Sequence, residues 1–210
     1  MIIQEFVVTA EQMRAIEGRI FAAGMPVAAL MEKVASLVTR RIQAVVKASA
    51  HPHSPWTTAE ARFLKIGVLV GPGHNGGDAL VIARELHFQG YQVAIYCPFS
   101  KLKELTSNHA QYARSLGIPF FDEIDALKTY DLLVDGLFGF GLERQITDAV
   151  AAAINEVNTW KKTILSIDLP SGLHTDTGEV LGTAIRATHT FCLGLWKLAF
   201  LQDQALDYIG

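Results

Sequence analysis

Asn75, Asp78, Asp135, Asp168 and Ser171 are side chains with hard oxygen atoms, and each stands at the end of an apolar, β-branched run. The runs are KIGVLVGPGHNGGD at 65–78, LLVDGLFGFG at 132–141 and ILSIDLPSG at 164–172. Carboxylates, a carboxamide and a hydroxyl suit a cation that prefers oxygen, such as potassium, sodium or magnesium, and the set lacks the Cys and His that zinc takes. A carboxylate beside such an ion stays free to exchange protons with a bound molecule. In an open parallel sheet, ligands bind beyond the carboxyl ends of the strands, so the three endings can converge on one site.

A sheet of that kind needs strands that alternate with helices. Strands are expected near 65–70, 92–97, 131–135, 163–168 and 187–193, with helices near 77–89, 102–116 and 146–159. This rhythm implies right-handed βαβ crossovers and a parallel sheet covered on both faces. Ahead of it, Thr9 and Gln12 form a capping box for a helix to about Ala23, stopped by Gly24. Pro26 then opens a second helix with Leu30, Val34, Leu37, Val38 and Ile42 at helical spacing. The two are expected as an N-terminal helical extension at about 9–49. The stretch 50–60 reads as a loop, with His51 and His53 as linker residues rather than metal ligands. The expected fold class is α/β: a three-layer α/β/α Rossmann-like fold with a central, mostly parallel sheet, in a single domain over 1–210.

The chain carries 18 basic and 21 acidic residues, a net charge of −3, which offers no general attraction to nucleic acid or to anionic lipid. Cys97 and Cys192 match no metal spacing and read as buried, reduced thiols. The first residues lack a cationic leader, and the longest apolar stretch, Ile20 to Met31, is too short to span a bilayer. A cytoplasmic, soluble protein is expected.

Gly71, Gly73 and Gly76 match GxGxxG directly after a strand and ahead of a helix. An ordinary dinucleotide site carries an acid at the end of the second strand for the ribose hydroxyls, whereas here that strand ends Tyr96-Cys97-Pro98-Phe99-Ser100-Lys101. This argues against an NAD-dependent dehydrogenase. Asp78 is expected in the first turn of the following helix, where a carboxylate competes with a bound anion; the bland alternative is that Asn75 and Asp78 only cap that helix. For Asp135 the alternative is a tight turn in which it bonds its own backbone. Leu169 precedes Pro170 and is driven out of helical conformation, so the chain turns and aims Ser171 back at the strand end. Ser171 lacks a GxSxG elbow and His174 reads as part of a surface turn, which disfavours a nucleophilic triad.

With these residues assembled, the chain resembles the NAD(P)H-hydrate epimerase family, also called the YjeF N-terminal domain. Its three loops appear here as Gly71-Pro72-Gly73-His74-Asn75-Gly76-Gly77-Asp78-Ala79, Val134-Asp135-Gly136-Leu137-Phe138-Gly139-Phe140-Gly141 and Ser166-Ile167-Asp168-Leu169-Pro170-Ser171-Gly172. The resemblance implies an isomerase of nicotinamide cofactor repair that interconverts the R and S forms of NADHX and NADPHX, hydrated at ring carbon C6. It further implies substrate contacts from His74, Asn75, Gly76, Gly77 and Asp78, from Gly139, Phe140, Gly141, Leu142, Glu143, Arg144 and Gln145, and from Asp168. A potassium ion, one per subunit, would be held by Asn75, Asp135 and Ser171, and the protein would be a homodimer.

The implied functional partner is an NAD(P)HX dehydratase that acts on one epimer, as a separate protein or as a fused domain. No GAGD-type motif of such a dehydratase occurs before Gly210, so dehydration is not expected of this chain. Asp168 is the expected catalytic residue, an acid/base at the C6 hydroxyl, by ring opening or by loss and return of hydroxide. His74 and Ala79 depart from the family pattern, and Leu195-Trp196-Lys197-Leu198-Ala199 replaces a PKPG-like turn, so Lys197 reads as a solvated lysine at a strand end. The competing reading within the same fold is a non-catalytic nucleotide-binding or scaffold domain.

Overall fold

Strands made of consecutive Val, Ile and Leu must be covered on two faces, and the computed structural model resolves how. It describes residues 7–49 and 64–210; the loop read at 50–60, with His51 and His53, lies outside them. A short strand β1 (Val7–Val8) leads into α1 (Ala10–Ala22) and α2 (Val27–Ser49). Next come β2 (Lys65–Val70), α3 (His74–Phe88), β3 (Gln92–Tyr96), α4 (Glu104–Ser115) and β4 (Phe120–Phe121). The chain continues through β5 (Leu132–Gly136), α5 (Asp148–Thr159), β6 (Thr163–Ile167), β7 (His189–Phe191), β8 (Trp196–Lys197) and α6 (Leu206–Ile209).

β2 to β7 form one sheet in the order β4-β3-β2-β5-β6-β7, and every pairing is parallel. All five expected strands are present within a few residues. Edge strand β4 was not foreseen, because two residues carry no periodicity. The chain winds outward from β2 through β3 and β4, then returns to β5 and runs the other way, so the order reverses between β2 and β5. The loops leaving those neighbours diverge and open a crevice above them.

Successive strand residues serve opposite faces, as the pleat requires. Ile66, Val68, Val93, Ile95, Leu132, Val134, Leu165 and Ile167 pack with α2, α3 and α4. Leu69, Ala94, Tyr96, Leu133 and Ile164 pack with Ala153, Ile154 and Val157 of α5. The helix read as part of an N-terminal extension is therefore structural: Met31, Ala35, Val38, Ile42 and Val46 of α2 are buried against α3 and the sheet. Burying a side chain such as Ile42 contributes about 1.5–3 kcal/mol relative to leaving it in water. The stripe is rotated from the expected one. Leu37 is exposed and Leu30 and Val34 are half-buried, because small Ala35 rather than Leu37 meets the helix beneath.

The capping box at the start of α1 is as expected, with Gln12 N donating to Thr9 Oγ1 at 3.1 Å and Thr9 N to Gln12 Oε1 at 2.9 Å. Gly24 ends the helix at φ 101, in the left-handed region where a side chain is unfavourable. Outside the main sheet, β1 pairs in parallel with β8, which aligns Val8 with Lys197. Among the described residues, no single helix is long and apolar enough to cross a membrane.

Candidate functional site

The glycine loop after β2 owes its composition to close packing. A Cβ on Gly71 would stand 1.6 Å from the Leu137 carbonyl oxygen, and one on Gly76 would stand 1.9 Å from the Gly71 oxygen. These contacts lock the loops after β2 and β5 together at the point where the sheet reverses. Helix α3 starts at His74, three residues earlier than expected, with Gly73 as its N-cap and no side-chain cap bond. Asp78 consequently lies beyond the first turn. The reading that Asn75 and Asp78 only cap α3 is overturned, and so is the placement of Asp78 in the first turn.

Above the crevice is a cavity of about 950 Å³. Pro72, Gly73, His74, Asn75 and Asp78 form one wall, and Leu137 to Arg144 form another. Asp168, Leu193, Gly194 and Lys197 close the strand ends, while Met13, Arg14, Glu17, Ile20 and Phe21 of α1 reach it from the N-terminal side. Of the expected contacts, Gly76, Gly77 and Gln145 do not line it. Gly77 packs under Met31, where a Cβ would stand 2.6 Å from its terminal methyl.

Asp135 and Ser171 lie beneath this cavity, both fully buried. Asp135 Oδ2 accepts from Ser166 Oγ at 2.8 Å and Ser171 N at 2.9 Å, and Oδ1 accepts from Ser171 Oγ at 2.6 Å and Leu137 N at 3.3 Å. The turn at Leu169-Pro170 thus aims Ser171 back at the strand end, as expected. Asp135 bonds its own loop as well, but most of its bonds cross to β6 and the turn after it. Burial still pushes the Asp135 carboxyl up, against those hydrogen bonds. Ser171 Oγ also accepts from Phe138 N at 2.8 Å, and His174 Nδ1 accepts from Thr177 N at 3.2 Å in its own turn, so the two do not form a nucleophile and base.

Asp168 holds a left-handed φ of 70, which turns its side chain away from the strand direction. Its Oδ1 accepts from Lys197 Nζ and from Leu193 N at 3.4 Å, and its Oδ2 accepts from Phe140 N at 3.0 Å. The reading of Lys197 as solvated is overturned: it is 0% exposed and forms an ion pair with Asp168. β8 pairs with β1 and so draws the lysine inward. An ammonium there needs a counter-charge in contact, and Asp168 supplies it.

Asp78 contrasts with Asp168. Among the described residues no hydrogen bond reaches its carboxyl, which is pushed well up by burial first and then by the charges of Asp168 and Glu17. Glu17 is raised by burial and by Asp168, with Lys197 opposing. His74 is lowered by burial and then by the Lys103 charge. Arg14 of α1 pairs with Glu143 at 2.5 Å, an exposed bridge between the helix and the loop after β5.

Glu17 is the group that sequence reasoning missed, and Lys197 is one that it misread. Both carry a usable signal. Met13, Glu17 and Ile20 recur at helical spacing, so Glu17 is a carboxylate set in an apolar stripe, and Lys197 is a lone charge between Leu195-Trp196 and Leu198-Ala199-Phe200-Leu201.

For a monovalent cation, the donors available are the Asp135 carboxylate, the Ser171 hydroxyl, the Phe138 carbonyl and the Asn75 carboxamide. One end of that carboxamide, Nδ2, is buried with no hydrogen-bond partner. Rotating the amide exchanges its nitrogen and oxygen, which would present a carbonyl oxygen instead. Buried oxygen donors with a spare amide fit potassium chemistry, and among the described residues no cluster of His, Cys, Asp and Glu suits a transition metal.

Fold and site together define a doubly wound α/β protein whose crevice lacks the ribose-binding acid after the second strand and holds a buried Asp–Lys pair instead. The family described as YjeF-related protein N-terminus matches residues 27–199, and the chain belongs to it. The "Bifunctional NAD(P)H-hydrate repair enzyme Nnr" of Thermosynechococcus vestitus is 52% identical over 204 residues, covering 97% of this chain and 38% of that protein. The chain therefore spans well under half the length of that relative. The "NAD(P)H-hydrate epimerase" of Limosilactobacillus reuteri is 34% identical over 208 residues, covering 97% of this chain and 92% of that one. The crystal structure of yeast ynu0 superposes with a TM-score of 0.79 at 24% identity, covering 93% of this chain and 83% of the yeast chain, which shows the shared fold.

Proposed function

We propose that the chain is an NAD(P)H-hydrate epimerase that interconverts the R and S forms of NADHX and NADPHX. The observation that carries this reading is Asp168, a carboxylate paired with buried Lys197 and facing a cavity large enough for a dinucleotide head. Inversion at C6 needs a group that takes a proton from the ring hydroxyl and returns it, and a carboxylate held by one ammonium and two backbone N–H groups is fixed for that exchange. The uncapped N-terminus of α3 offers free N–H groups to a phosphate, and Lys103 on the same wall adds positive charge. Phe138 to Arg144 and α1 line the side of the cavity where the ring would lie.

Asn75, Asp135 and Ser171 would hold a potassium ion, whose charge would offset the buried Asp135 carboxylate. The bifunctional name of the Thermosynechococcus vestitus relative supports coupling to a second repair activity that consumes one epimer. The deciding experiment supplies the purified chain with pure R-NADHX and follows S-NADHX by chromatography. Appearance of S-NADHX at an enzymatic rate is expected. Conversion no faster than in buffer rejects the reading in favour of a binding domain, and oxidation or reduction at C4 would point to a dehydrogenase.

A further inference from the structure

Most of the hydrogen-bonding capacity of Lys197 is spent on the site. Besides Asp168 Oδ1, its ammonium donates to the Leu193 carbonyl at 2.5 Å and approaches Cys192 Sγ at 3.7 Å. It also lies 5.8 Å from the Phe140 ring centre, beside the loop whose N–H holds Asp168 Oδ2. Its position along the chain is set by β8 pairing with β1. Burial pushes the Cys192 thiol up, which leaves it neutral and makes Asp168 the counter-charge in contact. An apolar side chain would fill this volume without the cost of removing an ammonium from water, so packing alone does not account for a lysine here. Asp168 Oδ1 takes two donors and Oδ2 takes one, so Oδ2 keeps the more available lone pair.

We propose that Lys197 is the positioning residue of this site: it grips Asp168 Oδ1 and turns Oδ2 toward the bound ring. The inference rests on the epimerase reading and names the group through which Asp168 is held. Lys197 acts through Asp168, so removing it lowers turnover while binding is largely kept. The two residues form one unit, and their losses do not multiply.

The test measures kcat and KM on pure R-NADHX for the wild-type chain, Lys197→Met, Lys197→Arg, Asp168→Asn and the double variant Asp168→Asn/Lys197→Met, with folding checked by circular dichroism. For Lys197→Met, kcat is expected to fall about hundredfold with KM changed less than about threefold. Lys197→Arg should retain more turnover than Lys197→Met, and the double variant should be no slower than Asp168→Asn alone. Where Lys197→Met does not fold, Lys197→Arg against wild type decides, with a reduced kcat at unchanged KM expected. A working wild type with an equally fast Lys197 variant, or losses that multiply in the double variant, overturns the role of Lys197 alone. A wild type that leaves the epimer unchanged overturns the epimerase reading and this role with it.

Discussion

The two ends of the crevice are built on opposite principles. At the β5–β6 end, Asp135 and Asp168 each accept three or more hydrogen bonds from Ser166, Ser171, Lys197 and backbone N–H groups. At the β2–α3 corner, the Asp78 carboxyl has no donor among the described residues, Asn75 Nδ2 has no partner, and α3 begins without a side-chain cap. The first end holds its carboxylates fixed before any ligand arrives. The second leaves polar groups open for what binds, because donors already used internally have nothing to offer a substrate.

The largest effect should come from the prepared end. Replacing Asp168 by Asn keeps the shape but removes the proton acceptor, and epimerisation should fall about 10²- to 10⁴-fold in a protein that still binds ligand. Turnover within a few-fold of wild type would mean that preparation of this carboxylate is unrelated to catalysis. Next is Asp135→Ala, which strands the buried Ser166 and Ser171 donors; urea unfolding should show a loss of about 3 kcal/mol. Replacing tetramethylammonium by potassium is expected to raise the melting temperature of the wild type but not of this variant, and an equal rise in both would remove Asp135 from the proposed ion site.

The smallest effect should come from the open corner. The folded Asp78 carboxyl titrates above the 3.8 of an ordinary one, so over that interval the folded state keeps a proton that the unfolded chain has lost. The group therefore destabilises the folded protein increasingly as pH rises from about 3.8 toward the folded value, and has no such effect below 3.8. Asp78→Asn should lack that effect, which makes it more stable than wild type at neutral pH and equal to it in acid. Matching stability profiles for the two proteins would show that the corner is not strained by its own carboxyl.

How far each part could be read from the chain follows from the range of the forces involved. The strands β2, β3, β5, β6 and β7 announce themselves through local periodicity, and the loops after β2, β5 and β6 through glycine and proline chemistry within a few residues. The start of α3 was misplaced because Gly73 caps it without a side-chain signal. The buried face of α2 was misassigned because the choice between Leu37 and Ala35 is made by the helix it meets. Glu17 was passed over because the charges that act on it, Asp168 and Lys197, lie more than a hundred residues away, and Lys197 was misread because the strand it pairs through, β1, lies at the opposite end of the chain.

By itself, the order of residues determined a doubly wound parallel sheet and oxygen-bearing side chains at three of its strand ends, since alternation, turns and strand-end placement are local properties of the backbone. Only the tertiary structure decided which carboxylate is held by donors and which is left without them. That depends on β1 pairing with β8 to bury Lys197 against Asp168, and on Asp78 facing the cavity half-buried with no donor among the described residues. Burial and distance set the energy of a charge, and neither exists until the chain has closed on itself.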